Sequence, residues 1–261
     1  MQSIFAAVWL GIIEGITEFL PISSTGHLLI AEHWLGQRSD LFNVTIQAGA
    51  ILAVVLIYWR RLMELLLHFS QPENRDYVFK LCVAFLITSI GGFAAKKAGL
   101  QLPQTVAPIA WAMIIGGVAI WVIERYVADK PRSENVTWNV AFWVGACQIL
   151  AAVFPGTSRS AATIFAAMLA GLTARPAATE FAFLVGIPTM FAATGYLLLT
   201  SIHGSTTAHE NWTELGIAFV VSAIVAFIAV KWLLKYIQTH RFTVFAWYRV
   251  IFGIALLLLI H

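Results

Sequence analysis

Charge is scarce in this 261-residue chain: 11% of the residues are Asp, Glu, Lys or Arg, against about 25% in soluble domains. Apolar residues make up 60% and mean hydropathy is +0.82, so a water-soluble fold is excluded and an integral membrane protein is expected. Strand-like alternation is missing as well. The apolar residues come in long blocks, which excludes a barrel of short alternating strands and makes the class α-helical. Cysteine is nearly absent. Cys82 and Cys147 both sit in apolar segments and match no metal or redox spacing. A formal charge of +3 and a pI near 9.0 do not signal nucleic acid, because the basic residues are scattered at segment ends rather than gathered on one face. No lysine or arginine stands before Arg38, and Glu14 and Glu18 follow the first apolar run at once, so a cleavable signal peptide is not expected.

About 20 residues are needed to cross the hydrocarbon core as a helix. Six blocks meet that requirement: 42–59, 77–93, 107–123, 181–200, 215–234 and 242–260. Two further blocks, 4–35 and 138–172, are broken midway by a proline and a polar loop, at 21–26 and 155–160. Their halves are short for spans and read as re-entrant hairpins. Lys and Arg accumulate on the cytoplasmic side of short loops. Arg60, Arg61, Arg75 and Lys80 mark one cytoplasmic loop, Arg125, Lys130 and Arg132 a second, and Lys231, Lys235 and Arg241 a third. The segment 201–214 has no Lys or Arg and is expected outside, together with both termini. Lys96 and Lys97 fall in a loop that this arrangement also places outside, against the rule.

The two broken segments resemble each other at an offset of 134: Gly11, Glu14, Pro21 and Ser24 fall on Gly145, Gln148, Pro155 and Ser158. Each half then comprises one hairpin and three spans, and an odd number of spans inverts the second copy. The expected fold is an all-α polytopic membrane protein with six transmembrane helices plus two re-entrant helix-loop-helix hairpins arranged as an inverted repeat. It forms a single membrane domain over 1–261, with repeats at 1–128 and 138–261. Non-helical backbone at membrane depth persists only where protein or water satisfies it. The two loops are therefore expected to face each other around one polar cavity.

The stretch EGITEFLPISSTGH carries the chemistry. Glu14 and Glu18 share a helix face, where like charges repel, and ionisable groups in membrane segments pair or line watery sites. The second loop, FPGTSRSAAT, supplies Arg159 as the missing cation. The acids are read as ligands of a divalent cation, Mg²⁺ or Ca²⁺, or as a general acid or base. Ser23, Ser24 and Thr25 either satisfy backbone at the helix break or, in Ser24, provide a nucleophile with His27 as its base. Ser158, Arg159, Ser160 and Thr163, at a helix start placed at Ser160, suit a phosphate or diphosphate. Gln148 stands in the repeat frame of Glu14. Glu180 and Gln47 are read as groups that support the site from behind or pack between helices.

These motifs resemble the two signatures of the bacterial undecaprenyl-diphosphate phosphatase family of the bacitracin-resistance type, and the likeness covers nearly the whole chain. One departure is visible: Ala161 follows the SRS triplet where the family usually has glycine. The resemblance implies a membrane enzyme of the bacterial cytoplasmic (inner) membrane that removes the terminal phosphate of undecaprenyl diphosphate and regenerates the carrier for cell-wall synthesis. It carries Glu14, Glu18, Ser24, His27, Ser158, Arg159, Ser160 and Thr163 into the site. Ser24, water or His27 remain open as nucleophile, and Glu14 and Glu18 are the expected metal ligands. The partners are a polyprenyl diphosphate, whose head group is expected to arrive through a lateral gap from the outer face, the membrane, and a second copy of the chain as a homodimer still to be tested. The alternative is a secondary transporter or flippase of a lipid phosphate, which shares inverted repeats and membrane carboxylates but needs no nucleophile and base. A channel or scaffold leaves Arg159 opposite two acids unexplained.

Overall fold

The computed structural model describes residues 2–100, 105–203 and 211–259. Among them the chain forms eleven α-helices and no strand. The first hairpin is α1 (Gln2–Thr17) and α2 (Ser24–Leu35), followed by α3 (Asp40–Ile57), α4 (Trp59–Leu67), α5 (Pro72–Lys97) and α6 (Val106–Ala128). The second hairpin is α7 (Trp138–Val153) and α8 (Arg159–Leu169), followed by α9 (Arg175–His203), α10 (Trp212–Tyr236) and α11 (Thr243–Leu259). Five helices, α3, α5, α6, α9 and α10, are long and apolar enough to cross a membrane, consistent with a multi-pass membrane protein. The sixth expected span, 242–260, corresponds to α11, an apolar helix of 17 residues; Ile260 lies outside the described residues.

The expected spans exist as helices, but several ends move. α5 begins earlier, at Pro72, because a proline at the first helical position needs no N–H acceptor and Glu73 complements the first turn. It runs unbroken to Lys96 and Lys97, where Lys96 lies over the Tyr196 ring of α9. α10 starts at Trp212 because the Asn211 side chain caps Thr213 and Glu214. Half of the polar segment expected at 201–214 falls outside the described residues, since 204–210 are not among them. One helix was not anticipated: after a bend at Tyr58, Trp59–Leu67 forms α4, which puts Leu65 in the core and leaves Arg60 and Leu66 exposed.

The core runs between the two broken hairpins and the helices that clasp them, with Phe19, Phe165, Phe181, Phe183 and Phe242 all buried. α1 packs on α10 and α7 on α5, while α6 pairs with α11 and α3 with both α9 and α10. Two close approaches set this packing. A Cβ on Gly11 would meet the carbonyl oxygen of Ala218 at 2.6 Å, and one on Gly145 would meet that of Ala84 at 2.6 Å. Small residues at helix interfaces let backbones approach where lipid offers no hydrophobic drive to pack.

Both breaks lie earlier in the chain than their polar sequences suggest. The first covers 18–23, so Thr25 and Gly26 already belong to α2, and the second helix start is Arg159 rather than Ser160. Ser23 and Ser158 are the residues immediately before α2 and α8, and they alone among described non-glycine residues have positive φ, 71° and 67°. The structural match is thus Ser23 with Ser158, one position away from the sequence match of Ser24 with Ser158. The second loop has one more residue between its proline and its helix, and Gly156, with φ of 89°, absorbs it.

Candidate active site

The two breaks meet. Glu18, at the end of α1, is 8% exposed, and its two oxygens are shared between the hairpins. Oε2 accepts the Ser24 hydroxyl at 2.6 Å, and Oε1 accepts Nη2 of Arg159 at 2.9 Å. Ser160 donates its hydroxyl to the Leu20 carbonyl at 3.1 Å, a second tie between the loops. The Arg159 guanidinium reaches the Gly186 carbonyl of α9 at 3.4 Å, over a glycine whose Cβ would come within 2.8 Å of Nη1. The repulsion expected between the two acids is answered in the way the sequence demanded, by Arg159, and by Glu18 rather than Glu14.

These groups border a cavity of about 270 Å³, lined by Glu18, Ser23, Ser24, Thr25, Gln148, Ser158 and Arg159, with Gln47, Thr88 and Thr189 completing the polar wall. Gln47, expected either to support the site or to pack between helices, faces the cavity. Ala151, Ala152, Met190 and Ala193 supply an apolar side. The start of α2 has no side-chain cap, which leaves its first N–H groups without a side-chain acceptor at the cavity edge, whereas Ser158 caps α8 by accepting from the Ala161 N–H at 3.3 Å. A helix N-terminus of this kind favours an anion.

Four expected site residues are not brought to the cavity wall. Glu14 is fully buried behind it, and neither of its oxygens has a hydrogen-bond partner among the described residues. Thr163 spends its hydroxyl on the carbonyls of Arg159 and Ser160, inside α8. Ser160 is turned to Leu20. His27 is not paired with Ser24. Its Nδ1 lies 2.7 Å from the Ser23 carbonyl and its Nε2 lies 2.6 Å from the Tyr248 hydroxyl, while its ring stacks on Phe252 at 4.4 Å. A carbonyl only accepts, so Nδ1 carries the proton, and in the neutral ring Nε2 accepts from Tyr248. The closeness in sequence of Ser24 and His27 let the sequence suggest a nucleophile and base, but the helix places His27 one turn on from Ser23, reaching back four residues to hold it. Glu180 pairs with Arg61 at 3.3 Å and does not line the cavity.

The sequence reading missed Arg249. It is fully buried and donates to the carbonyls of Pro21 at 3.3 Å and Gly156 at 3.0 Å, one in each broken loop, and to those of Ala112 at 3.0 Å and Met113 at 3.3 Å. Gly116 makes room for it, since a Cβ there would collide with the guanidinium. The signal was present: Arg249 is the sole charged residue of the apolar run 242–260, and a charge inside such a run marks a functional or organising site.

A divalent cation fits the donor chemistry in part. Glu14 Oε1 and Oε2, Ser23 Oγ and Gln148 Oε1 are buried oxygens without hydrogen-bond partners, the donor type that Mg²⁺ and Ca²⁺ take. Among the described residues no three His, Cys, Asp or Glu side chains converge to enclose an ion. A cation would thus be completed by substrate oxygens and water.

Over residues 7–255 the sequence matches the family described as Bacitracin resistance protein BacA. An undecaprenyl-diphosphatase of Rhizobium etli is 64% identical over 98% of this chain and 97% of its own length. One of Stenotrophomonas maltophilia is 59% identical over 99% of this chain and 98% of its own, and one of Xylella fastidiosa is 56% identical over 98% of both.

Proposed function

The chain belongs to the bacitracin resistance protein BacA family, and from that premise we propose that it is an integral membrane phosphatase that hydrolyses undecaprenyl diphosphate to undecaprenyl phosphate and phosphate. The lipid carrier is thereby recycled for cell-wall synthesis in the bacterial inner membrane. One observation carries the catalytic reading: the Ser24–Glu18–Arg159 chain joins a hydroxyl, a carboxylate and a guanidinium across two loops at one cavity.

In this mechanism the terminal phosphate lies between Arg159 and the uncapped start of α2. Ser23, Thr25 and Ser158 hydroxyls border it. Arg159 turns from Glu18 to the phosphate oxygens, where its planar fork suits two contacts. Glu18 then takes the Ser24 proton as Oγ attacks phosphorus; the bond from phosphorus to the bridging oxygen breaks, and undecaprenyl phosphate leaves. Glu18 passes that proton to the departing undecaprenyl phosphate and is ionised again. It then takes a proton from water as the water oxygen attacks the phosphoserine. The bond from phosphorus to Oγ breaks, and Glu18 returns the proton to Oγ, which restores the Ser24 hydroxyl and frees phosphate. Phosphoryl transfer depends chiefly on such positioning and charge stabilisation. His27 holds Ser23 and does not act on Ser24. A divalent cation, held by the buried oxygens near Glu18, Ser23 and Gln148 with Glu14 behind, would neutralise charge on the diphosphate when bound.

Several features support the finer architecture of six spans, two re-entrant hairpins and an inverted repeat over 1–128 and 138–261. Ala218 follows Ala84 by the same 134 residues that separate Gly145 from Gly11, so both members of each glycine contact obey the repeat. The cavity is bordered by Thr88 and Ala193, which lie in the halves of α5 and α9 remote from the basic loops near Arg60 and Lys130, and by Thr189 at the middle of α9. That supports an opening to the outer face, with the polyprenyl tail leaving past Ala151, Ala152 and Met190. A transporter is the weaker reading, because a hydroxyl already bonded to a carboxylate beside an arginine serves bond cleavage better than release of an intact substrate. Purified protein in detergent should release phosphate from undecaprenyl diphosphate, and rapid quenching should trap phosphate on Ser24. Stable, folded protein with no phosphate release would sink the proposal, and release without a phosphoserine would replace Ser24 by water.

A further inference from the structure

The cavity wall formed by α5, α7 and α9 contains an amide whose orientation is dictated by its neighbours. Gln148 donates from Nε2 to Thr88 Oγ1 at 3.0 Å and to Thr189 Oγ1 at 3.1 Å. Each hydroxyl has one hydrogen to give. That of Thr88 goes to the carbonyl of Gly145 at 2.9 Å or Ala84 at 3.0 Å, and that of Thr189 goes to Val185 at 2.9 Å. Both hydroxyls can therefore only accept from Gln148. Turning the amide over would set its oxygen against two oxygens that have no hydrogen left for it, so the network fixes the amide with Nε2 toward the two threonines. The consequence is at the other end. Oε1 of this 3% exposed residue has no hydrogen-bond partner, and Gln148 lines the cavity.

A buried carbonyl oxygen calls for a donor or a cation. The ionised oxygens of a diphosphate are acceptors too and repel it, so a direct contact is disfavoured and a cation between the two satisfies both. We propose that Gln148 Oε1 is a ligand of the divalent cation that accompanies the diphosphate, with Thr88 and Thr189 as the residues that aim it. This rests on the diphosphate reading given above. It shifts the cation toward the second hairpin: Gln148 faces the cavity, whereas Glu14, its counterpart in the repeat, lies behind the wall. A single amide oxygen is a fitting share, because Mg²⁺ keeps several waters and takes few protein ligands beside substrate phosphates. Ser23 Oγ, also buried without a partner and on the same wall, is a second oxygen within that cavity.

The test uses the full chain in detergent with Mn²⁺ as probe. Free Mn²⁺ is read by electron paramagnetic resonance in the presence of a prenyl methylenebisphosphonate, which cannot be hydrolysed. Gln148→Met and Thr189→Val should each weaken Mn²⁺ binding by about tenfold or more, the usual loss when a ligand or the group orienting it is removed. Gln148→Glu should tighten it. Wild-type Mn²⁺ affinity in Gln148→Met would overturn the proposal, since the carbonyl would then meet only water. A raised KM for the lipid at saturating cation, with Mn²⁺ affinity unchanged, would overturn it in favour of direct phosphate contact. If Gln148→Met does not fold, unchanged affinity in both Gln148→Glu and Thr189→Val overturns it equally. Mn²⁺ binding that depends on Gln148, in a wild-type protein that releases no phosphate from the lipid, would uphold this site and reject the phosphatase reading.

Discussion

Ser24 and His27 stand three residues apart and do different work. Ser24 already donates to Glu18, so its proton has an acceptor before substrate arrives. Ser24→Ala should abolish turnover while leaving the protein folded, and Glu18→Gln should lower kcat by about 10²–10⁴-fold, the usual contribution of a positioned base. Arg159→Ala should cost about 10³-fold or more, as expected for an arginine facing transferred phosphate. Phosphate release by purified variants measures all three. His27 gives the sharper contrast. An asparagine amide can replace Nδ1–H toward the Ser23 carbonyl but cannot act as a base. His27→Asn should therefore retain most activity and the wild-type pH profile, whereas His27→Ala, which frees Ser23 from its strained φ, should lose activity. An inactive His27→Asn with normal folding would return the base role to histidine.

At the scale of elements, the site is assembled by the joining of two interrupted helices. Residues held at unusual φ cost of order 1–3 kcal/mol each and persist only where surroundings over-determine them. Ser23 and Ser158 are both in that state, and Arg249 is the group that binds the loops on either side, through Pro21 and Gly156. Arg249→Met removes the donor to four carbonyls; those of Ala112 and Met113 keep their bonds within α6, while those of Pro21 and Gly156 in the loops lose it, each buried acceptor left unpaired costing about 1–3 kcal/mol. A lowered unfolding temperature and a fall in kcat together are expected, read by thermal unfolding in detergent and by phosphate release. Loss of stability with full kcat would show that the loops hold their shape without it. Gly186→Ala tests the other side of the cavity. Its Cβ would press on Arg159, so activity should fall with little change in stability.

For the whole molecule, the decisive quantity is which end of α5 faces out. Its 26 residues span about 39 Å as an α-helix, enough to place its ends on opposite membrane faces. In a background with Cys82 and Cys147 replaced, an impermeant thiol reagent applied to intact cells should label a cysteine at Lys96 and not one at Glu73. The reverse pattern would invert the molecule and turn the cavity inward. In that orientation Lys96 and Lys97 run against the positive-inside tendency. Their helix extends past the apolar stretch, and Lys96 rests its charge on Tyr196 at the end of the cavity-bearing half.

Composition alone fixed the solvent of this protein, because 11% charge cannot cover a surface in water, and the long apolar blocks fixed helices over strands. The two prolines and their hydroxyl-rich neighbours announced the breaks, and Glu14, Glu18 and Arg159 announced that opposite charges had to meet, since unpaired charge is costly in a membrane. Those are local or compositional facts. Tertiary structure alone decided which acid meets the arginine, because Glu14 and Glu18 are equivalent in sequence spacing and differ only in what packs around them. It alone turned His27 from Ser24 toward Ser23 and Tyr248, a partner 221 residues away. It also brought Arg249 from the far end of the chain to both loops, and fixed the Gln148 amide between Thr88 and Thr189. A side chain's chemistry is written in its residue type, but its role depends on which donors and acceptors remain unspent at its tip, and only the packed fold sets that.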